Sequence, residues 1–179
     1  MATVLDQSYT TAPNDEYRVG WDSAVDQVWE AQQIVPSVTA SCNRVIFDLY
    51  KNGAPSGNLY VEIYSDSSDA PNAQTGEDSG VVAASSLGAG VANIGEITFD
   101  FATPVPLVAS TKYWLVLKTT ASVNADNSVS VGCSATPGYT TGLFARWSGS
   151  AWANNSGDSY FKEYYDSTTV ATTGFFALL

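Results

Sequence analysis

The strongest constraint in this sequence is an alternation of apolar and polar residues with a period of two. Residues 44–50 put Val45, Phe47 and Leu49 on one face and Ile46, Asp48 and Tyr50 on the other. Leu59, Val61 and Ile63 likewise oppose Tyr60, Glu62 and Tyr64. Ile97, Phe99 and Phe101 oppose Glu96, Thr98 and Asp100, and Tyr113, Leu115 and Leu117 oppose Lys112, Trp114 and Val116. A helix repeats every 3.6 residues, so runs like these bury one side only as strands. Turn residues punctuate them at 52–57, at Pro104 and Pro106, at Gly149, at Asn154 and Asn155, and at Gly157. Further strands are expected at 28–35, 128–133, 142–147 and 159–165, and a short strand or turn at 81–87. The runs flanking the 52–57 turn read as a hairpin. The pattern predicts an all-β fold, a jelly-roll-like antiparallel β-sandwich without helices.

A chain of 179 residues suits a single domain of this kind. Residues 1–27 are polar with scattered aromatics and read as an N-terminal arm; 28–167 form the sandwich; 168–179 are a C-terminal tail or its last strand. The apolar end, Phe175, Phe176, Leu178 and Leu179, is a candidate interface, since an exposed apolar terminus invites docking. The first residues have neither the basic nor the apolar region of a signal peptide. No apolar run approaches the roughly 20 residues of a membrane-spanning helix.

Eighteen acidic residues face seven basic ones, a net charge of −11. That field repels phosphate backbones and anionic lipid, so neither nucleic acid nor membrane is an expected partner. Histidine is absent, which excludes Ser-His-Asp and Cys-His nucleophile chemistry and His-ligated metals. Cys42 and Cys133 are compatible with a disulfide or with two buried thiols.

Several stretches resemble a known family: Ala31-Gln32-Gln33-Ile34-Val35-Pro36, Val45-Ile46-Phe47-Asp48-Leu49-Tyr50-Lys51, Pro55-Ser56-Gly57-Asn58-Leu59 and Tyr113-Trp114-Leu115-Val116-Leu117, in that order. The series is similar to the choice-of-anchor jelly-roll domains of bacterial surface proteins and phage structural and tail proteins, over about residues 29–166. The resemblance implies a non-catalytic module for display, attachment or glycan contact, and transfers no catalytic residue. It implies a virion structural protein, a phage capsid decoration or a head or tail fibre component, located in the virion. Its expected partners are other virion proteins or copies of itself, as a homo-oligomer such as a trimer. The alternative is a carbohydrate-binding module of a secreted or cell-surface protein, and a glycoside hydrolase is a more distant third.

Three groups of side chains are candidates for chemistry. Tyr139, Trp147, Trp152 and Tyr160 gather late in the chain near Gly and Asn, the stacking faces and short amides that a sugar requires. Asp66, Asp69, Glu77 and Asp78 crowd one polar loop and offer oxygen ligands of the kind calcium takes, though not in EF-hand spacing. No other cofactor is expected. Asp48, Glu62, Glu96 and Asp100 point away from the predicted core, where a pair could in principle serve a glycosidase and otherwise forms a solvated face. Tyr50, Tyr60 and Tyr64 also point outward, and adjacent strands would bring their rings together.

Overall fold

The alternating runs share one interior, but they reach it from two sheets. A computed structural model describes residues 3–22, 25–26, 28–121 and 123–167. Its first strands are β1 (Thr3–Tyr9), β2 (Asp15–Val19), β3 (Trp21–Asp22), β4 (Val25–Asp26), β5 (Trp29–Ile34), β6 (Ala40–Asn52), β7 (Asn58–Asp66) and β8 (Pro71–Gln74). They are followed by β9 (Val82–Ala83), β10 (Gly95–Leu107), β11 (Tyr113–Thr119), β12 (Ser128–Ser134), β13 (Phe144–Trp147), β14 (Trp152–Asn155), β15 (Asp158–Ser159) and β16 (Phe161–Asp166). Among the described residues the helical turns are two short 3-10 turns, Ala84–Ser86 and Val91–Asn93.

Sheet I is built on β6. It carries β10 along one edge, and β16 and then β12 along the other. β1 extends the sheet beyond β16, β2 beyond β12, and β15 pairs with the end of β12. Sheet II runs β14-β13-β5-β11-β7-β8, with β9 also on β7. β3 and β4 form a separate two-stranded ribbon. All these ladders are antiparallel, and the main strands alternate between the sheets: β5, β7, β11 and β13 in II, and β6, β10, β12 and β16 in I. This is an all-β antiparallel sandwich with jelly-roll-like crossing.

Two expectations change. The turn at 52–57 does not close a hairpin, because β6 and β7 belong to different sheets. Val45, Phe47 and Leu49 meet Leu59, Val61 and Ile63 across the interior rather than side by side. Period two assigns a face; it does not choose the neighbour. Thr3–Tyr9 and Asp15–Val19, read as part of an N-terminal arm, are strands of sheet I, and Val19 is wholly buried.

Of the expected core residues only Ile97 stays partly exposed; the rest are buried, each contributing roughly 1.5–3 kcal/mol. The interior also holds polar groups. Register partners share a face, so Glu30 beside Leu117 and Gln32 beside Leu115 point inward. Gln32 joins the sheets: its Oε1 accepts from Ser159 N at 2.9 Å and its Nε2 donates to Asp158 Oδ1 at 3.3 Å. Asp158 Oδ2 accepts from the Gly138 and Tyr139 amides at 2.7 and 2.8 Å, pinning the loop before β13. Gly157, at φ +101°, lets the chain turn so close to β12 that a Cβ there would lie 1.9 Å from the Ser134 carbonyl oxygen.

Glu163 is a further buried polar group. Opposite Val45 on β16 it faces the core, 1 % exposed, and its Oε2 has no hydrogen-bond partner among the described residues. Burial, followed by the Asp6 charge, pushes its carboxyl from 4.5 up to about 8. The folded chain therefore holds a proton between those values that the unfolded chain releases, and stability falls as pH rises through that window by about 1.4 kcal/mol per unit. Glu163→Gln mimics the protonated acid. Urea unfolding at pH 5 and pH 8 is expected to show the variant gaining several kcal/mol over the wild type at the higher pH and little at the lower. A parallel pH dependence in both proteins would show that Glu163 is not the group responsible.

Candidate functional site

The outer face of sheet II is aromatic where an antiparallel sandwich ordinarily presents polar side chains. The residues between the inward ones place Trp152 and Asn154 on β14, Ala145 and Trp147 on β13, and Trp29, Ala31 and Gln33 on β5. Trp114, Val116 and Lys118 on β11 and Tyr60, Glu62 and Tyr64 on β7 complete it. Four of the five tryptophans therefore share one face. Ala31, Trp114, Val116 and Ala145 are buried there as a second, smaller cluster, with Trp29, Tyr64 and Trp152 packed against it.

A charge holds this face together. Lys118 Nζ lies 2.5 Å from Glu62 Oε2, both side chains less than a tenth exposed, and donates to the Tyr64 hydroxyl at 2.9 Å. The same ammonium sits 3.8 Å from the centroid of the Trp29 ring. Trp29 stacks on Trp147 at 5.5 Å and 13°, and Trp152 closes the row, tilted 55° from Trp147 at 5.5 Å. Glu62, Lys118, Trp29, Trp147 and Trp152 thus form a ladder across five strands, combining an ion pair, a cation–π contact and ring stacking. Burial, with the neighbouring Glu62 carboxylate, pushes the Tyr64 phenol well above its ordinary range and keeps it neutral.

The opposite end of the face is polar. Asp66 Oδ1 accepts from Trp114 Nε1 and Gln33 Nε2, both at 2.8 Å. Lys112 pairs with Asp69 and, with Gln33, holds that carboxyl below its usual range. A cleft of about 350 Å³ opens beside them, lined also by Thr140, Thr141 and Leu143. The expected calcium group is not assembled here: Glu77 accepts from Thr103 at 2.8 Å and Asp78 from Gln74 at 2.5 Å, each with its own donor. No set of three or more acidic or cysteine side chains among the described residues converges on a metal position.

The other candidates separate. Trp147 and Trp152 belong to the ladder. Tyr139 instead packs edge-on against Phe161 at 5.1 Å and donates to Gln7 Oε1 at 2.7 Å. Tyr160 links β15 and β16 of sheet I and bonds Glu96. Tyr50 is 2 % exposed on sheet I, at a cleft of about 380 Å³ shared with Pro13, Asp15 and Ile94, so the row of Tyr50, Tyr60 and Tyr64 is divided between opposite faces. Asp48 and Glu62 are buried rather than solvated. Glu96 is register partner to Asp48 and pairs with Lys162 at 2.6 Å, and Asp100 pairs with Arg44 at 2.6 Å. Cys42 and Cys133 are free and buried; burial drives both thiols upward, Cys133 to about 12, which leaves them protonated. Phe175, Phe176, Leu178 and Leu179 lie outside the described residues.

Trp29 and Lys118 carried no signal of their own in the sequence, whereas Tyr64 was singled out only as one of an outward row of tyrosines. The period-two pattern turned Tyr64 and Trp114 away from the predicted core, but only the pairing of β11 with β7 and β5 brings Tyr64, Lys118 and Trp29 together. Comparison with protein-family models and with curated proteins finds no match. At its β13–β14 end the face presents stacked aromatic rings beside neutral polar side chains.

The ladder predicts a specific instability. Lys118→Met leaves Glu62 buried without its cation and is expected to cost about 3–5 kcal/mol, whereas Lys118→Met with Glu62→Leu recovers most of the loss. Chemical denaturation of the two variants measures this. Equal losses in the single and double variants would show that the pair's charge is not what matters.

Proposed function

We propose that the chain is a non-enzymatic attachment module that binds a saccharide on the outer face of sheet II, at its β13–β14 edge. The observation that carries this reading is the wedge between Trp147 and Trp152, both half-buried, with Trp29 stacked behind them. A pyranose has CH groups on one side and hydroxyls around its rim. It is matched by a fixed aromatic face beside short polar side chains, which Ser148, Ser150 and Asn154 provide. Rings locked by stacking lose little freedom on binding, so contact area is not spent on ordering them. The one carboxylate within the ladder, Glu62, is committed to Lys118, and this favours binding over catalysis.

The setting implied by the resemblance belongs to the same proposal: a virion component, a capsid decoration or fibre, working in multiple copies. A weak single-site sugar contact gains from repetition, since linked sites raise avidity without new contacts. The alternative setting, a secreted or cell-surface carbohydrate-binding module, uses the same face.

Isothermal titration with a panel of oligosaccharides tests the reading. Trp152→Ala is expected to weaken binding at least about tenfold while leaving the fold intact, because Trp152 ends the row on the edge strand β14 and is only partly buried. Tyr160→Phe, on the other sheet, is expected to bind like the wild type. Unchanged affinity in Trp152→Ala would remove the site.

A further inference from the structure

The basic residues narrow the ligand. There are seven in a chain of net charge −11, and each is already engaged. Arg44 pairs with Asp100, Lys112 with Asp69, Lys118 with Glu62, Arg146 with Glu30 and Lys162 with Glu96. Lys51 donates to the Ser85 carbonyl, and Arg18 is engaged as well. The two cations nearest the tryptophan wedge are the most committed. Lys118 cannot leave Glu62 without stranding a buried carboxylate, and Arg146, opposite Glu30 on the inward side of β13, points away from the face. An acidic sugar would meet no free positive charge and a repulsive field.

The immediate surroundings are equally free of negative charge. Residues 144–155 contain no Asp or Glu, and their polar side chains on or near the face are hydroxyls and amides. Asn154 stands out among them. It is exposed, lies on the same side of β14 as Trp152 and two residues on, about 7 Å away along the strand, and is register partner to the small Ala145. No hydrogen bond to another described residue occupies its side chain. A primary amide offers two donors and one acceptor within one plane, a set that can bridge neighbouring hydroxyls.

We infer that the ligand of this face is a neutral saccharide, stacked on Trp147 and Trp152, and that Asn154 reads its hydroxyl pattern. This rests on the saccharide-binding reading above. The absence of an uncommitted cation at the wedge disfavours uronates, sialylated and sulfated sugars; the absence of an uncommitted carboxylate there disfavours cationic ligands. Asn154 then discriminates among neutral sugars, since its amide pairs only with hydroxyls that fall within reach of its donors and acceptor.

The test is titration calorimetry of the whole chain with neutral trisaccharides (cellotriose, chitotriose and galactotriose) against 3′-sialyllactose and trigalacturonate. Each is run between roughly 0.01 M and 1 M salt, which shortens the screening length from about 30 to about 3 Å. At least one neutral trisaccharide is expected to bind with salt-independent affinity, and neither acidic sugar is expected to bind even at high salt. Asn154→Ala is expected to weaken the preferred sugar on the order of tenfold and to flatten the ranking among the neutral sugars. Binding of an acidic sugar that Trp152→Ala abolishes would overturn the neutral-ligand inference while leaving the saccharide site standing. An unchanged ranking in Asn154→Ala would remove that residue's role. No binding by any sugar would take the saccharide reading itself down with the inference.

Discussion

The arrangement of the outer face depends on one buried ammonium. Lys118 stands on an otherwise apolar strand, and its charge can be tolerated there only with close compensation. Glu62 supplies the opposite charge, Tyr64 a hydroxyl, and Trp29 the negative face of its ring. With Trp29 held on one side by the cation, its other side is presented to Trp147, and the row continues to Trp152. A flexible cation is thus converted into a rigid aromatic edge. The same pairing leaves the face electrically quiet within a strongly acidic chain.

The two sides of sheet II reverse the usual division of labour along β5 and β13. Glu30, Gln32 and Arg146 turn inward, while Trp29, Ala31, Ala145 and Trp147 turn outward. The inward groups are paired within the interior: Arg146 lies 3.0 Å from its neighbour Glu30 in the same sheet and over the Tyr17 ring of sheet I, and Gln32 reaches Asp158 and Ser159 of the facing sheet. Such contacts are directional, so they fix how the two sheets sit together in a way that aliphatic packing alone does not. The outer aromatic row on one side of β5 and inter-sheet polar contacts on the other are therefore held by the same short strand.

The strands and the core face were legible because period two and burial are local properties. Val45 through Leu117 fell where alternation put them. Pairing was not legible, since it depends on which sheet a strand joins after each turn; β6 and β7 therefore looked like a hairpin and are not one. β5 was readable as a strand but not as an inverted one, because Trp29-Glu30-Ala31-Gln32 alternates equally well in either orientation. Trp147 and Trp152 could be singled out by type and by their position beside turns. Tyr139 and Tyr160 shared those cues, yet the Asp158 network draws Tyr139 inward and Glu96 holds Tyr160 on sheet I. The loop acids looked like cation ligands because sequence proximity was the only available measure. In three dimensions Gln33, Trp114 and Lys112 had already claimed Asp66 and Asp69.

We propose the β13–β14 edge of sheet II as the surface where a sugar stacks. The most direct measurement follows the tryptophan indole N–H signals by NMR as a neutral oligosaccharide is added to the whole chain. The Trp147 and Trp152 signals are expected to move together with increasing sugar, while that of Trp114, whose indole is bonded to Asp66 within the covered part of the face, stays in place. Movement confined to Trp114, or stationary Trp147 and Trp152 signals with a sugar that calorimetry shows to be bound, would contradict it.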